Sequence, residues 1–263
     1  KAVDVDGDGD TDVLSASYND DKIAWYENDG NGGFTEQVIS TSADGAHSVY
    51  AADVDGDSDM DVLSASNMGN KITWYENNGS HIFQPQTTAE LQTAVDMWVD
   101  DNATALATYG EINTWDVSLI TNMSELFKDK TTFNDDIGDW DVSGVTNMYA
   151  MFRSAESFNG DISSWDVSSV TNMFFMFLTA GSFNQNISNW DVSNVTNMLH
   201  TFNGANSFNG DISSWDVASV TNMQGMFYNA YDFNQDLSSW DVSSVTNISD
   251  MFYGASSFNG NIS

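Results

Sequence analysis

Six tryptophans recur every 25 residues, at Trp115, Trp140, Trp165, Trp190, Trp215 and Trp240. Each opens the tripeptide Trp-Asp-Val, and five of the six are followed by Ser. An active site has no use for one tryptophan copied six times at constant spacing. A stack of coils does, because each copy then lies on its equivalent in the next turn. A period of this size is the mark of solenoid architectures, in which no unit can bury its apolar face alone. More than half of this chain is therefore expected to be a repeat surface.

Aligning on Trp gives six units, 112–136, 137–161, 162–186, 187–211, 212–236 and 237–261, with a seventh begun at Ile262. The third, ISSWDVSSVTNMFFMFLTAGSFNQN, shows the plan. Ile162, Trp165 and Val167 follow the apolar-x-x-apolar-x-apolar pattern of a leucine-rich-repeat strand. Val170, Met173, Met176, Phe177 and Ala180 fit a helical or turn-rich return, Phe183 closes the coil and Asn184 turns it. The expected fold class is thus a repeat protein, a leucine-rich-repeat-type solenoid with one parallel strand and a helical or turn return per coil. The column Asn122, Asn147, Asn172, Asn197, Asn222 and Asn247 is expected to satisfy backbone groups at the bend. The motif WDVSxVTNMxxMFxxAxxFN, over about residues 88–263, resembles the BspA-like leucine-rich repeats of the DUF285 group. That resemblance implies a surface protein and is nearly silent on biochemistry.

Residues 1–83 carry a different repeat. Asp4 to Asn28 reads DVDGDGDTDVLSASYNDDKIAWYEN, and 49 residues on, Asp53 to Asn77 reads DVDGDSDMDVLSASNMGNKITWYEN. Each copy is an Asp-rich loop, a strand-like VLSAS, a polar turn and a strand-like KIAWYEN or KITWYEN. A third strand, Phe34 to Ser40, follows the first copy. Asp4, Asp6, Asp8 and Asp12 stand at loop positions 1, 3, 5 and 9, with Gly9 at the sharp turn and the Asp10 carbonyl at position 7. Alternate carboxylates on a tight loop converge on one point, which suits a hard cation with oxygen ligands, Ca2+ above all. Asp53, Asp55, Asp57, Asp59 and Asp61 repeat the pattern, with Ser58 in place of the Gly. An EF-hand is excluded, because Ser15 or Ser64 stands at position 12 and a strand follows. The two copies resemble FG-GAP/VCBS β-propeller blades, which implies an all-β, calcium-bearing and usually extracellular region. Two blades cannot close a propeller of about four to eight, so the expectation is missing upstream blades or an open remnant.

Residues 84–111 read as a linker and a capping helix. Thr87 and Glu90 form a capping-box pattern. Leu91, Ala94, Val95 and Trp98 then follow at helical spacing, and the helix is expected to end near Asp100–Asn102. The solenoid proper is expected over 112–263.

The formal net charge is −33, from 39 acidic and 6 basic residues. Such a chain is a poor partner for nucleic acid, whose binding needs Lys and Arg on phosphates, and for anionic membranes. No apolar run reaches the ~18 residues of a membrane span. Six of the acids form a column, Asp116, Asp141, Asp166, Asp191, Asp216 and Asp241, expected to point outward once per coil. The simpler reading is that each accepts hydrogen bonds from local N–H groups. The sharper one is a face for cations or a cationic partner. His47, His81 and His200 lie in unrelated contexts, and no Ser has a His-plus-carboxylate setting, so no catalytic residue is expected. The expected function is a non-enzymatic, extracellular or cell-surface, calcium-binding protein that adheres to a protein, glycan or matrix ligand. The alternative is a structural subunit that self-associates into a filament or surface layer, since the last coil ends without a cap and offers a template edge.

Overall fold

A computed structural model describes residues 1–7, 9–56, 59–77 and 82–261. The chain divides into two compact units, Lys1–His81 and Ile82–Ser263.

The first unit is two antiparallel meanders. β1 (Ala2–Val3), β2 (Asp12–Ser17), β3 (Lys22–Asn28) and β4 (Phe34–Ser40) form one sheet in that order. β5 (Ala46–Ala52), β6 (Asp61–Ser66) and β7 (Lys71–Tyr75) form the other. Matching hairpins join β2 to β3 and β6 to β7, with Ser17 opposite Lys22 and Ser66 opposite Lys71. Each hairpin turn ends on a left-handed residue, Asp21 (φ 53°) and Asn70 (φ 46°). Asp and Asn tolerate that region because their short polar side chains bond locally. The strands ahead of the Asp loops, β1 and β5, are additions to the sequence reading, which began each blade at its loop. Leu14, Ile23, Ala46, Ala51 and Val62 make the core between the sheets.

The second unit opens with α1 (Thr88–Asp100). Its N-cap is Thr87, whose Oγ1 accepts from the Glu90 N–H at 3.2 Å. Glu90 answers one residue further out than a standard capping box, accepting from the Gln86 N–H at 2.7 Å. Leu91, Ala94, Val95 and Trp98 are its buried face. Asp101 ends α1 and caps a second helix, α2 (Asn102–Tyr109), which the sequence reading had not placed. Two side chains of α1 reach into the first repeat: Thr88 Oγ1 donates to the Asn122 carbonyl and Gln92 Nε2 to the Leu126 carbonyl. In the next repeat the equivalent carbonyls, of Asn147 and Met151, take N–H groups of the unit before. The helix therefore supplies from side chains what a preceding coil would supply from backbone.

The 25-residue units are linked by backbone bonds that alternate in destination. The N–H groups of Met123, Glu125, Phe127 and Asp129 cross to the carbonyls of Asn147, Tyr149, Met151 and Arg153 in the next unit. The N–H groups of Leu126, Lys128 and Lys130 close turns on Met123, Glu125 and Phe127. Two residues per unit take positive φ, from Glu125 (62°) and Asp129 (61°) to Asp250 (57°) and Gly254 (74°). Positive φ at the third residue of a turn is the type II signature. The return segment is thus a chain of turns, and no helix forms there.

The expected strand at Ile-x-x-Trp-x-Val is not formed either. Among the described residues, parallel pairing between units is confined to single bridges joining Asn122, Asn147, Asn172, Asn197, Asn222 and Asn247 in succession. The physical reason lies in the local bonds. The Trp165 N–H closes on the Ile162 carbonyl and the Val170 N–H on Val167, while Asp166 Oδ1 accepts from the Ser168 N–H. Those donors are used inside the unit, so no ladder can form across it.

Side chains join the units instead. The indole N–H groups of Trp140, Trp165, Trp190, Trp215 and Trp240 reach back 28 residues, to the carbonyls of Ile112, Ile137, Ile162, Ile187 and Ile212, at 2.8–3.1 Å. That bond is why the position holds Trp and not Phe. Phe127, Phe152, Phe177, Phe202, Phe227 and Phe252 form a file with centroids 5.2–5.7 Å apart. A second file, from Phe133 to Phe258, packs on the first. These residues form one continuous buried cluster, with Phe252 and Phe258 of the last unit half-buried against it.

Candidate functional site

The Asp loops sit between the first two strands of each sheet. Asp4, Asp6 and Asp12 bring carboxylate oxygens within 4.8 Å of one another, and so do Asp53, Asp55 and Asp61. Backbone amides set the geometry. Asp4 accepts from the N–H groups of Gly7 (2.8 Å) and Gly9 (3.0 Å), which folds the loop over its own first residue. Gly7 (φ 79°) and Gly9 (φ 93°) take the left-handed backbone this requires. Asp12 is fully buried and accepts from Val5 N–H at 2.7 Å and from Asn28 N–H at 2.8 Å. Asp61 repeats this with Val54 N–H (2.9 Å) and Asn77 N–H (2.8 Å). The last carboxylate of each loop therefore pins the loop to the end of the WYEN strand.

Of the expected ligands, Asp10 and Asp59 fall outside these triads. The Asp10 carboxylate lies so close over Gly30 that no Cβ would fit there. Asp8, Asp57 and the Ser58 substitution lie outside the described residues, as does His81. The donor set fits a hard cation: carboxylate oxygens, no nitrogen or sulfur, on a loop held by glycines. It also calls for one. A buried carboxylate within reach of two others is costly unless a positive charge compensates. Five of the protein's six Lys and Arg side chains have partners elsewhere: Lys1 over the Tyr50 ring at 4.7 Å, Lys22 on Glu36 at 2.6 Å, Lys128 on Glu125 at 2.7 Å, Lys130 on Asp96 at 2.6 Å, and Arg153 over Phe175.

In the second unit each member of the column Asp116, Asp141, Asp166, Asp191, Asp216 and Asp241 accepts, through Oδ1, from the N–H two residues on, at 3.0–3.1 Å. Asp136, Asp161, Asp211 and Asp236 do the same one bend earlier, with Asn186 keeping the pattern where the acid is absent. These are Asx turns, and the acids are structural as well as exposed.

A family model described as "Mycoplasma protein of unknown function, DUF285" matches residues 95–209 and 182–263, more than half of the chain. The chain belongs to the DUF285 family. An FG-GAP-like repeat model matches residues 4–64 of the same chain, over the two Asp loops. No curated protein and no solved structure matches it. No helix among the described residues is long and apolar enough to cross a membrane.

Two features of the DUF285 repeats escaped the sequence reading. One is a second amide file: the N–H groups of Asn159, Asn184, Asn209, Asn234 and Asn259 each donate to the Oδ1 of the Asn 25 residues earlier, at 2.7–2.9 Å. The other is an aromatic patch in the two positions after Thr-Asn-Met. Phe175 stacks on His200 at 5.6 Å, packs beside Phe174, and lies 6.0 Å from the guanidinium of Arg153. The signal was available, because this two-residue window differs in every unit, as do the pairs at 128–129 and 131–132 and their counterparts, and Arg153 is the chain's one arginine. Beside it runs a groove of about 620 Å³ lined by Glu156, Thr179, Asn203, Asn206, Asn229 and Tyr231. His200 Nδ1 lies 2.9 Å from Asn203 Nδ2 and links patch to groove.

The DUF285 Asx turns carry a pH signature. The Ser118, Ser168, Ser193 and Ser243 hydroxyls and amides hold Asp116, Asp166, Asp191 and Asp241 below the ordinary carboxylate range. Asp161 and Asp211 are lowered chiefly by the Ser163 and Ser213 amides. Repulsion from Asp166 opposes the ionisation of Asp191, but it is the smallest of that residue's influences. A carboxyl whose folded pKa is depressed adds stability above its unfolded value, about 3.9, and loses it as pH falls through the folded one. The melting temperature is expected to hold down to about pH 5 and to fall below about pH 4. A flat melting profile across that window, by calorimetry, would contradict this account.

Proposed function

We propose that this is a non-enzymatic, extracellular or cell-surface protein whose FG-GAP-like repeats bind Ca2+ and whose DUF285 repeats, a leucine-rich-repeat-type solenoid, present an acidic surface to a protein, glycan or matrix ligand. The observation that carries the calcium reading is the matched pair of triads, Asp4, Asp6 and Asp12 against Asp53, Asp55 and Asp61, each with one buried acid. The cation's role there is structural: it neutralises three carboxylates and fixes the loop that ties the first strand to the WYEN strand. The partner reading is supported by the repeat architecture, in which the recurring Trp, Phe and Asn positions form a scaffold and the short windows between them vary from unit to unit. The amide- and hydroxyl-lined groove beside one such window suits a ligand rich in hydroxyl groups.

Isothermal titration of the full chain with calcium should show two strong sites and a melting temperature that rises with calcium. At a hundredfold excess over Kd, one site adds about 2.7 kcal/mol. Further stoichiometry beyond two would report cation binding along the Asp column. Absence of both heat and thermal shift would remove calcium from the proposal. Binding of the full chain to immobilised matrix proteins and glycans, with and without calcium, checks the adhesive half.

A further inference from the structure

Two rows of residues, each repeating once per coil, line the groove in the DUF285 repeats. One row reads Thr179, Gly204 and Asn229, the other Glu156, Gly181, Asn206 and Tyr231, so the groove crosses four consecutive coils. It exists because a glycine falls in each row. A Cβ at Gly181 would meet nothing nearer than the Asn206 amide at 4.0 Å, so the space above it is open. At Gly204 (φ 70°) the Thr179 methyl stands 3.1 Å from where a Cβ would lie, which leaves no room for a side chain. The walls are amides, hydroxyls and one carboxylate. The Asn206 NH2 donates to the carbonyls of Gly204 (3.3 Å) and Asn229 (3.0 Å), which holds that amide in place. Asn203 is held by His200, at 2.9 Å. At one end of the groove Tyr231 is 46% exposed.

We propose, building on the reading of these repeats as a ligand-presenting surface, that the groove binds one strand of a neutral polysaccharide laid across the coils. Amides and hydroxyls both donate and accept, as sugar hydroxyls do, and the Glu156 carboxylate adds an acceptor. An exposed tyrosine ring in a polar groove gives the C–H face of a sugar an apolar platform to pack on. The spacing agrees with this. Equivalent phenylalanine rings lie 5.2–5.7 Å apart from coil to coil, close to the length of one hexose in an extended chain, so each coil meets about one sugar. Charge narrows the class. Among the described residues no Lys or Arg lines the groove, Glu156 stands in its wall, and the net charge of the chain is −33. A sulfated or uronic polysaccharide would be repelled. A peptide strand would need a free sheet edge or apolar pockets for its alternate side chains, and the groove offers a single ring.

The test is isothermal titration of the full chain, with calcium present, against cello-, manno- and N-acetylated chito-oligosaccharides, with heparin fragments as the anionic control. At least one neutral series is expected to bind, and heparin is not. Tyr231→Ala should weaken that binding at least about tenfold, and Tyr231→Phe should keep it, since the ring is the platform. Gly181→Leu should plug the groove and abolish binding with an unchanged melting temperature, because its Cβ enters open space on a backbone that is not left-handed. Failure of every neutral series to bind would overturn the proposal. So would heparin binding as tightly as they do, or Ala and Leu variants that bind as the natural chain does. Immobilised matrix protein tells two failures apart. A chain that captures it but no oligosaccharide keeps the ligand-presenting reading and loses the glycan groove, and a chain that captures neither loses both.

Discussion

Trp190→Ala is expected to destabilise the repeat unit by about 3–5 kcal/mol. The side chain is almost wholly buried in the middle of the stack, parallel to Trp215 with ring centroids 6.4 Å apart. Its ring also stacks on Phe177, at 6.5 Å. Removing it opens a cavity walled by neighbouring units, which are held by their own backbone bonds and cannot collapse into the space. Trp190→Phe separates two contributions. It keeps most of the ring but deletes the indole N–H that meets the Ile162 carbonyl at 3.1 Å. The Ile162 carbonyl keeps the Trp165 N–H, so what is lost is one buried hydrogen bond, worth about 0.5–1.5 kcal/mol. The ordering natural chain, then Phe, then Ala should appear in chemical denaturation followed by circular dichroism. Stability in a stacked array is carried by nearest-neighbour interfaces. The Ala variant should therefore also broaden the transition, as the units on either side begin to melt separately. A Phe variant as stable as the natural chain would show that the indole bond contributes nothing, and the six tryptophans would need another explanation.

That bond also marks where the sequence was readable and where it was not. The 25-residue period, the buried Trp, Met and Phe, the Thr87 cap and the strands from β2 to β4 were legible, because each depends on a residue type at a fixed spacing. The return segment was not. Val170, Met173, Met176 and Phe177 are spaced as on a helix face, yet Phe175 (φ 63°) and Thr179 (φ 57°) are left-handed. Glycine would have announced such turns, and it stands at the equivalent positions Gly204, Gly225 and Gly254. Elsewhere the cross-unit bonds hold ordinary residues in that region, and a β-branched Thr gives no hint of it. The missing strand has the same root. Alternating apolar residues look like a strand, but Asp at the position after each Trp takes the N–H two residues on and bends the chain. In the candidate metal centre, the loop spacing identified Asp4, Asp6 and Asp12 as a group. It could not show that Asp12 is buried and shared between two backbone amides, because those amides come from Val5 and from Asn28, 16 residues away.

Asp12→Asn turns that shared position into an expected result. The carboxylate presents one oxygen to each amide. An asparagine has a single oxygen, so its NH2 must face one of the two N–H groups, donor against donor. The cost is about 1–3 kcal/mol for the orphaned buried amide. Without calcium, the loss of one negative charge from the triad relieves repulsion from Asp4 and Asp6 and offsets part of that cost. With calcium, the same substitution removes a ligand charge, and no relief remains. The fall in melting temperature should therefore be larger with calcium than without it, and the titration should count one strong site where the natural chain has two. Asp61→Asn removes the acceptor of Val54 and Asn77 in the same way, and the double variant should bind no calcium tightly. A purely structural Asp12 would give the opposite signature: equal destabilisation with and without calcium, and two sites still counted. The comparison thus separates an acid that holds a loop from an acid that holds a loop around a cation.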